Sequence, residues 1–160
     1  MLIDIGAAAS DRATSILGGY TTISLDNPAN ASGTITSVEI WANVNITGMR
    51  VGTFYLVSHT TYKCRDSAVI GDVTAGSKQT FPGLSIDVEA GDLIGCYWDD
   101  GKIEMDSSGF AGWYEVSGEH IDPGDEAEYS LREYYAQSLY GTGETAPPVV
   151  AGYSFGIVIG

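Results

Sequence analysis

Residues 84–98, Leu-Ser-Ile-Asp-Val-Glu-Ala-Gly-Asp-Leu-Ile-Gly-Cys-Tyr-Trp, carry the clearest structural pattern in the chain. Apolar and polar side chains alternate at the start of this stretch, which is typical of a half-buried β-strand. The segment Glu89–Asp92 includes Gly91, a residue that readily adopts the positive φ of a tight turn. A second apolar run starts at once with Leu93. The stretch therefore predicts two strands paired as a β-hairpin.

Similar short apolar segments, separated by turns that contain glycine, continue through the rest of the chain. The 160 residues include 21 glycines and 5 prolines. Strands spaced about 8–12 residues apart are typical of sandwiches and barrels, so we predict an all-β protein with an antiparallel, jelly-roll-like β-sandwich. Its core is expected to include Trp41, Leu84, Ile86, Val88 and Ile94. Further strands are expected near residues 20–25, 38–42, 49–57, 60–65, 69–73, 77–81, 102–106, 112–116 and 153–159.

One segment has a different periodicity. Ala127, Leu131, Tyr135 and Leu139 recur at intervals of four residues, which favours an amphipathic helix. The neighbouring residues also alternate as in a strand. We predict at most one short helix, over residues 125–134, and a strand from about residue 136.

The domain organisation follows from length and from one linker-like stretch. A chain of 160 residues corresponds to about one domain, and residues 1–143 are predicted to form the β-sandwich. Residues 144–160 are predicted to be a linker, stiffened by Pro147 and Pro148, followed by an apolar strand. That strand either completes its own sandwich or is added to the sheet of a neighbouring subunit. Its predicted subunit-contact residues are Tyr153, Phe155, Ile157 and Ile159.

The charge of the chain excludes two classes of partner. The formal net charge is −14, and the half from residue 81 onward holds most of the acidic residues. Nucleic-acid binding and docking on anionic membranes both require a basic surface. Asp4 interrupts the apolar N-terminus, so a secretory signal is not expected, and no stretch approaches the length of a membrane span. Synthesis in a cytoplasm, without export through a secretory signal, is the expectation.

The two cysteines are too few for a disulfide framework. Cys64 and Cys96 are predicted to be buried thiols on neighbouring strands, with one disulfide between them as the alternative.

The sequence gives little support for an enzyme activity. His59 and His120 are the only histidines, no nucleophile-elbow motif is present, and the spacing required for zinc is missing. We therefore predict no catalytic residues, no enzyme activity and no cofactor, and leave calcium open as the one ion that the sequence could bind. Calcium prefers clustered carboxylate oxygens, and two acidic loops offer them. The alternative is that these are solvated acidic turns. The candidate ligands are Asp99, Asp100, Asp122, Asp125 and Glu126.

Adjacent aromatic residues supply the second candidate site. Neighbouring residues in a strand point to opposite faces, so some rings of these pairs are expected to lie away from the core. Exposed rings fit either a subunit interface or a sugar-binding platform, and plain core and rim packing is the third explanation of the same residues. The candidate residues are Tyr97, Trp98, Trp113, Tyr114 and Tyr134.

Several phrases of the sequence, taken together, resemble a known group of proteins. Over about residues 3–143 the chain resembles uncharacterised β-rich modules of bacteriophage virion and prophage proteins. The phrases are Ile3-Asp4-Ile5-Gly6, Asp11-Arg12, Asn27-Pro28-Ala29-Asn30, Thr-Ser-Val-Glu-Ile-Trp at 36–41, Val-Thr-Ala-Gly-Ser-Lys-Gln-Thr-Phe at 73–81, Gly-Asp-Leu-Ile-Gly at 91–95 and Ser-Leu-Tyr-Gly-Thr-Gly at 138–143.

The resemblance implies a non-enzymatic structural protein located in the virion, such as a head decoration, fibre or tail module. Its partners would be other virion subunits, including further copies of itself in a homo-oligomer. The alternative function is a lectin-like carbohydrate-binding module that contacts a host-surface glycan.

Overall fold

The computed structural model of the protein describes residues 2–147, and every regular element in this range is a β-strand. All strand pairs are antiparallel, so the predicted all-β antiparallel sandwich is confirmed. No helix in the described range is long and apolar enough to cross a membrane. The strands are β1 Leu2–Gly6, β2 Thr14–Leu17, β3 Tyr20–Ser24, β4 Gly33–Ser58, β5 Thr61–Val73, β6 Lys78–Phe81, β7 Ile86–Val88, β8 Leu93–Tyr97, β9 Asp100–Asp106, β10 Trp113–Ser117, β11 Glu126–Glu128, β12 Ser130–Arg132, β13 Ala136–Gln137 and β14 Leu139–Thr145.

The 26-residue strand β4 connects the two layers of the sandwich. Its first part pairs with β14 on one side and with β6 and β7 on the other, and β1 extends this layer beyond β14. Its last part pairs with β5 and β8. Register shifts between Ala42 and Arg50, together with a φ of 69° at Gly48, bend the strand between the two parts. The middle of β4 pairs with β9, which also pairs with β2 and β13.

The second layer closes into a six-membered ring of strands. β5, β4, β8, β3 and β10 pair in that order. The extended segment Glu126–Arg132 completes the ring, because β11 pairs with β5 and β12 pairs with β10. The ring encloses a core of its own, in which the buried residues are Ile23, Phe54, Tyr62, Cys64, Leu93, Ile121 and Tyr129.

The main core lies between the layers, and β8 is buried on both faces. Ile94 and Cys96 point into the main core, whereas Leu93 points into the ring. The apolar residues of β8 follow one another without alternation because both faces of the strand are buried. Gly95 lies beside Phe54 of the neighbouring strand β4, and an added Cβ would lie 2.6 Å from the Thr22 carbonyl oxygen and 2.7 Å from a carbon of the Phe54 ring.

The hairpin predicted for residues 84–98 is wrong in its pairing. Both strands exist, and the turn between them has a φ of 91° at Gly91. However, β7 pairs with residues 33–35 of β4, and β8 pairs with residues 50–54 and with β3. The turn therefore carries the chain from one layer of the sandwich to the other.

The core prediction holds for Ile86, Val88 and Ile94, which are buried, but Trp41 and Leu84 are only half-buried. The segment predicted to be a short helix, residues 125–134, is extended instead. The reason is that a spacing of four residues fits a period of two as well as a period of 3.6.

The C-terminal boundary lies later than predicted. β14 continues to Thr145, which pairs with Gly33, so the ordered pairing passes the expected boundary at residue 143. The predicted contact strand, with Tyr153, Phe155, Ile157 and Ile159, lies outside the described residues.

Candidate binding surfaces

The aromatic residues proposed as a platform do not form one surface. Trp98 and Trp113 are fully buried, and their indole nitrogens donate to the Gly101 carbonyl and to Glu115. These two indoles belong to the core and present no ring face to solvent. Tyr97 and Tyr114 are half-buried, and only Tyr134 is mostly exposed, at 59%.

The predicted calcium ligands are only partly brought together. Oxygen atoms of Glu119, Asp122 and Asp125 lie within 4.8 Å of one another. Arg50 already donates to two of these groups, to Glu119 Oε2 at 2.8 Å and to Asp122 Oδ1 at 2.6 Å. A cation at this cluster would compete with the guanidinium charge. Of the other candidates, Glu126 lies beyond this set of oxygens.

The remaining acidic loop is placed elsewhere. The Asp99 amide donates to the Thr47 carbonyl, and the Asp99 carboxylate lies against Gly48. Burial, followed by the nearby Asp99 carboxylate, raises the pKa of Tyr97. Asp99 and Asp100 thus belong to the bend of β4 rather than to the carboxylate cluster.

A groove of about 440 Å³ lies at the end of the ring where β4 turns into β5. Its apolar wall consists of Leu25, Phe54, Leu56, Tyr62 and Leu93. The Tyr62 ring lies 5.0 Å from that of Tyr114, and burial together with this neighbour raises the pKa of Tyr62 to about 12. A tyrosine with this pKa is neutral at physiological pH, and the other wall residues are apolar. The wall therefore carries no charge.

An arginine clamp forms the polar rim of this groove. Arg65 donates to both Asp92 oxygens, at 2.6 and 3.0 Å, and to Glu89 at 3.0 Å. Its guanidinium lies 4.4 Å from the centre of the Tyr55 ring. The hydrogen bond to Asp92 is the largest cause of the raised pKa of Arg65. A bidentate pair of this type is geometrically specific, and it fixes the 89–92 turn against β5.

A second ion pair is nearly enclosed between β9 and the loop after β1. Arg12 donates to Asp106 at 2.9 Å, to Ser138 at 2.8 Å and to the Ala8 carbonyl. Bonds from the Ala13 amide and then from Arg12 lower the pKa of Asp106. Glu104 is also buried and accepts from the Arg12 amide at 2.9 Å. These groups satisfy one another, so the cluster has a structural role.

The cysteines and histidines show no activated group within the described range. Cys64 and Cys96 are free, lie on β5 and β8 with β4 between them, and face different cores. Burial raises the pKa of each thiol to about 12, which disfavours the reactive thiolate. Among residues 2–147, neither His59 nor His120 hydrogen-bonds to a carboxylate; His120 Nε2 lies 3.1 Å from the Ser117 carbonyl oxygen.

Comparison with known proteins did not assign the chain to a family. No protein-family model and no curated protein sequence matches the chain.

Sequence reasoning missed the residues that line the cavities. Arg65 and Asp92 form one clamp but are 27 positions apart in the chain. Glu115 and Arg132 form another pair at a separation of 17. Each of these residues sits in an ordinary strand or turn pattern, so only the strand pairing brings the partners together.

Proposed function

We propose that the protein is a non-enzymatic structural subunit of a bacteriophage virion and that it acts through contacts between subunits. The observation that carries the contact function is the apolar groove at the end of the ring. Leu56 is 53% exposed on its wall, and Leu131, which pairs with Tyr114 next to the wall residue Tyr62, is 45% exposed. Contiguous exposed apolar patches on a folded protein mark interaction sites more often than chance surface.

Two further features support the virion context. The first is the resemblance of residues 3–143 to β-rich virion modules. The second is the net charge of −14, which would keep such a subunit away from packaged nucleic acid. A capsid, portal or tail gene beside the gene for this protein would support the assignment, and a neighbourhood of metabolic genes would oppose it.

The contact function is tested by sizing the full chain with multi-angle light scattering. We expect a homo-oligomer that Leu56→Glu converts to a monomer, because a charge in the apolar wall would be desolvated in the contact. Val69→Glu is the matched control: Val69 is 74% exposed and lies outside the groove, so this variant should keep the wild-type mass. A wild-type protein that stays monomeric at every accessible concentration would contradict the proposal.

The C-terminal segment is tested in the same assay by deleting residues 146–160. A truncated protein with unchanged stability but lost assembly would indicate strand donation. A loss of several kcal/mol would indicate pairing within the chain. An unchanged mass and an unchanged stability would refute both roles for this segment.

A further inference from the structure

A cleft separate from the groove lies on the outer face of the ring, between β10, β12 and the end of β2. It has a volume of about 330 Å³ and is lined by Ile16, Tyr20, Glu115, Arg132 and Tyr135. This volume is at the lower end of the range of small-ligand sites, about 300–1,000 Å³. None of these residues belongs to the sequence-predicted aromatic platform.

Two tyrosine rings contribute the apolar part of the cleft. Tyr20 is 42% exposed at the start of β3. Tyr135 is half-buried and packs edge-on against Trp113, with ring centres 5.1 Å apart and planes at 88°. The fully buried indole thus supports the Tyr135 ring from one side. Rings of this kind provide a flat apolar face and a polar hydroxyl within one side chain.

A fixed ion pair contributes the polar part. The Glu115 side chain is only 10% exposed, and its oxygens accept from Trp113 Nε1 at 3.0 Å and from Arg132 Nε at 3.0 Å. Arg132 Nη2 also lies 3.0 Å from Glu115 Oε2, so the guanidinium is held by the carboxylate along one edge. The Arg132 side chain is nevertheless 53% exposed, and its Nη1 makes no hydrogen bond to the described residues 2–147. A donor with a fixed direction therefore remains for a ligand.

We propose that this cleft binds one residue of a neutral saccharide. A sugar ring has apolar C–H faces that pack on aromatic rings and hydroxyl groups that both donate and accept hydrogen bonds. The hydroxyl groups of a sugar can accept a hydrogen bond from Arg132, donate one to Glu115 and form others with the tyrosine hydroxyls. A purely apolar ligand would desolvate the ion pair without replacing its bonds with water. A strongly anionic ligand is disfavoured by the net charge of −14. A metal ion is disfavoured because Glu115, the only carboxylate among the described residues that line the cleft, already binds the Arg132 guanidinium.

This site is independent of the subunit contact, since the lining of the cleft and that of the groove share no residue. A virion subunit that also carries it would contact a surface polysaccharide. The groove variant Leu56→Glu should consequently retain saccharide binding even if it loses assembly.

The experiment uses the full chain, a glycan array, and titration calorimetry with glucose, galactose, mannose and N-acetylglucosamine. We expect saturable binding of at least one neutral saccharide, weakened about tenfold or more by Tyr20→Ala and by Arg132→Gln. Tyr20→Phe keeps the ring face and should bind within a few-fold of wild type. Tyr134→Ala removes an exposed ring outside the cleft lining and should bind as wild type does.

Circular dichroism and thermal unfolding check that each variant keeps the fold, with Tyr20 and the Arg132 side chain 42% and 53% exposed. Arg132→Gln leaves the buried Glu115 carboxylate without its guanidinium and should lower the melting temperature, so its binding is measured well below that temperature. Three results would overturn the proposal: no saturable binding of any neutral saccharide, binding restricted to anionic sugars, or binding that survives both Tyr20→Ala and Arg132→Gln.

Discussion

Closure of the strand ring by the segment Glu126–Arg132 predicts a specific sensitivity at Tyr129. This side chain is 3% exposed and sits between β11 and β12. Its ring lies edge-on to those of Phe54 at 6.5 Å and Tyr62 at 6.0 Å. Tyr129 thus ties the closing segment through the ring core to β5, its paired neighbour, and to β4 beyond it.

Truncation to Tyr129→Ala should lower the free energy of unfolding by about 3–5 kcal/mol, the range for removing a large buried aromatic side chain. The two edge-on contacts, at about 0.5–1.5 kcal/mol each, form part of this loss. Tyr129→Phe retains the ring and should stay within about 1 kcal/mol of wild type. Tyr134→Ala, at a 59% exposed position of the same region, should change stability by no more than about 0.5 kcal/mol.

The measurement is urea unfolding followed by near- and far-ultraviolet circular dichroism, with the slope of the transition checked for two-state behaviour. A loss below about 1 kcal/mol for Tyr129→Ala would refute the view that this side chain holds the ring closed. A loss for Tyr129→Phe as large as that for Tyr129→Ala would show that the hydroxyl group, and not ring packing, is decisive.

Three further predictions concern single sites. Burial raises the pKa of Cys64 and of Cys96 from 9.0 to about 12, so the stability linked to the neutral thiols is fully present below pH 9 and is lost as the pH rises toward 12. The urea midpoint should therefore fall over this pH window. Rapid labelling of the native protein by Ellman's reagent at pH 8 would contradict the burial of the two thiols. Gly95→Ala places a Cβ 2.6 Å from the Thr22 carbonyl oxygen and 2.7 Å from the Phe54 ring, so it should cost about 1–3 kcal/mol in the same unfolding assay. An unchanged midpoint would mean that both β3 and the Phe54 ring can shift to admit the methyl group. Because Arg50 already bridges the acidic cluster, millimolar calcium should leave the melting temperature unchanged, and a rise reversed by a chelator would show that the ion displaces the guanidinium.

The two proposals, a virion subunit and a saccharide-binding cleft, depend on sequence patterns to different degrees. The proposed virion function starts from a resemblance in turn and strand phrases, and the groove is the surface proposed for its subunit contact. The saccharide cleft has no counterpart in any sequence pattern. Tyr20, Glu115 and Arg132 come from three strands, and their partnership depends on β10 pairing with both β3 and β12.

The sequence alone determined where most strands lie, because side-chain alternation and glycine-containing turns are local properties. Ile86 and Val88 are buried as their spacing predicts, and Gly91 turns the chain as its position predicts. The tertiary structure alone decided which strands pair. It placed β7 and β8 on different parts of β4, and it made the segment around Tyr129 a strand that closes a ring. The physical reason is that pairing depends on long-range hydrogen bonds and shared buried faces, whereas a four-residue apolar spacing is compatible with both helix and strand.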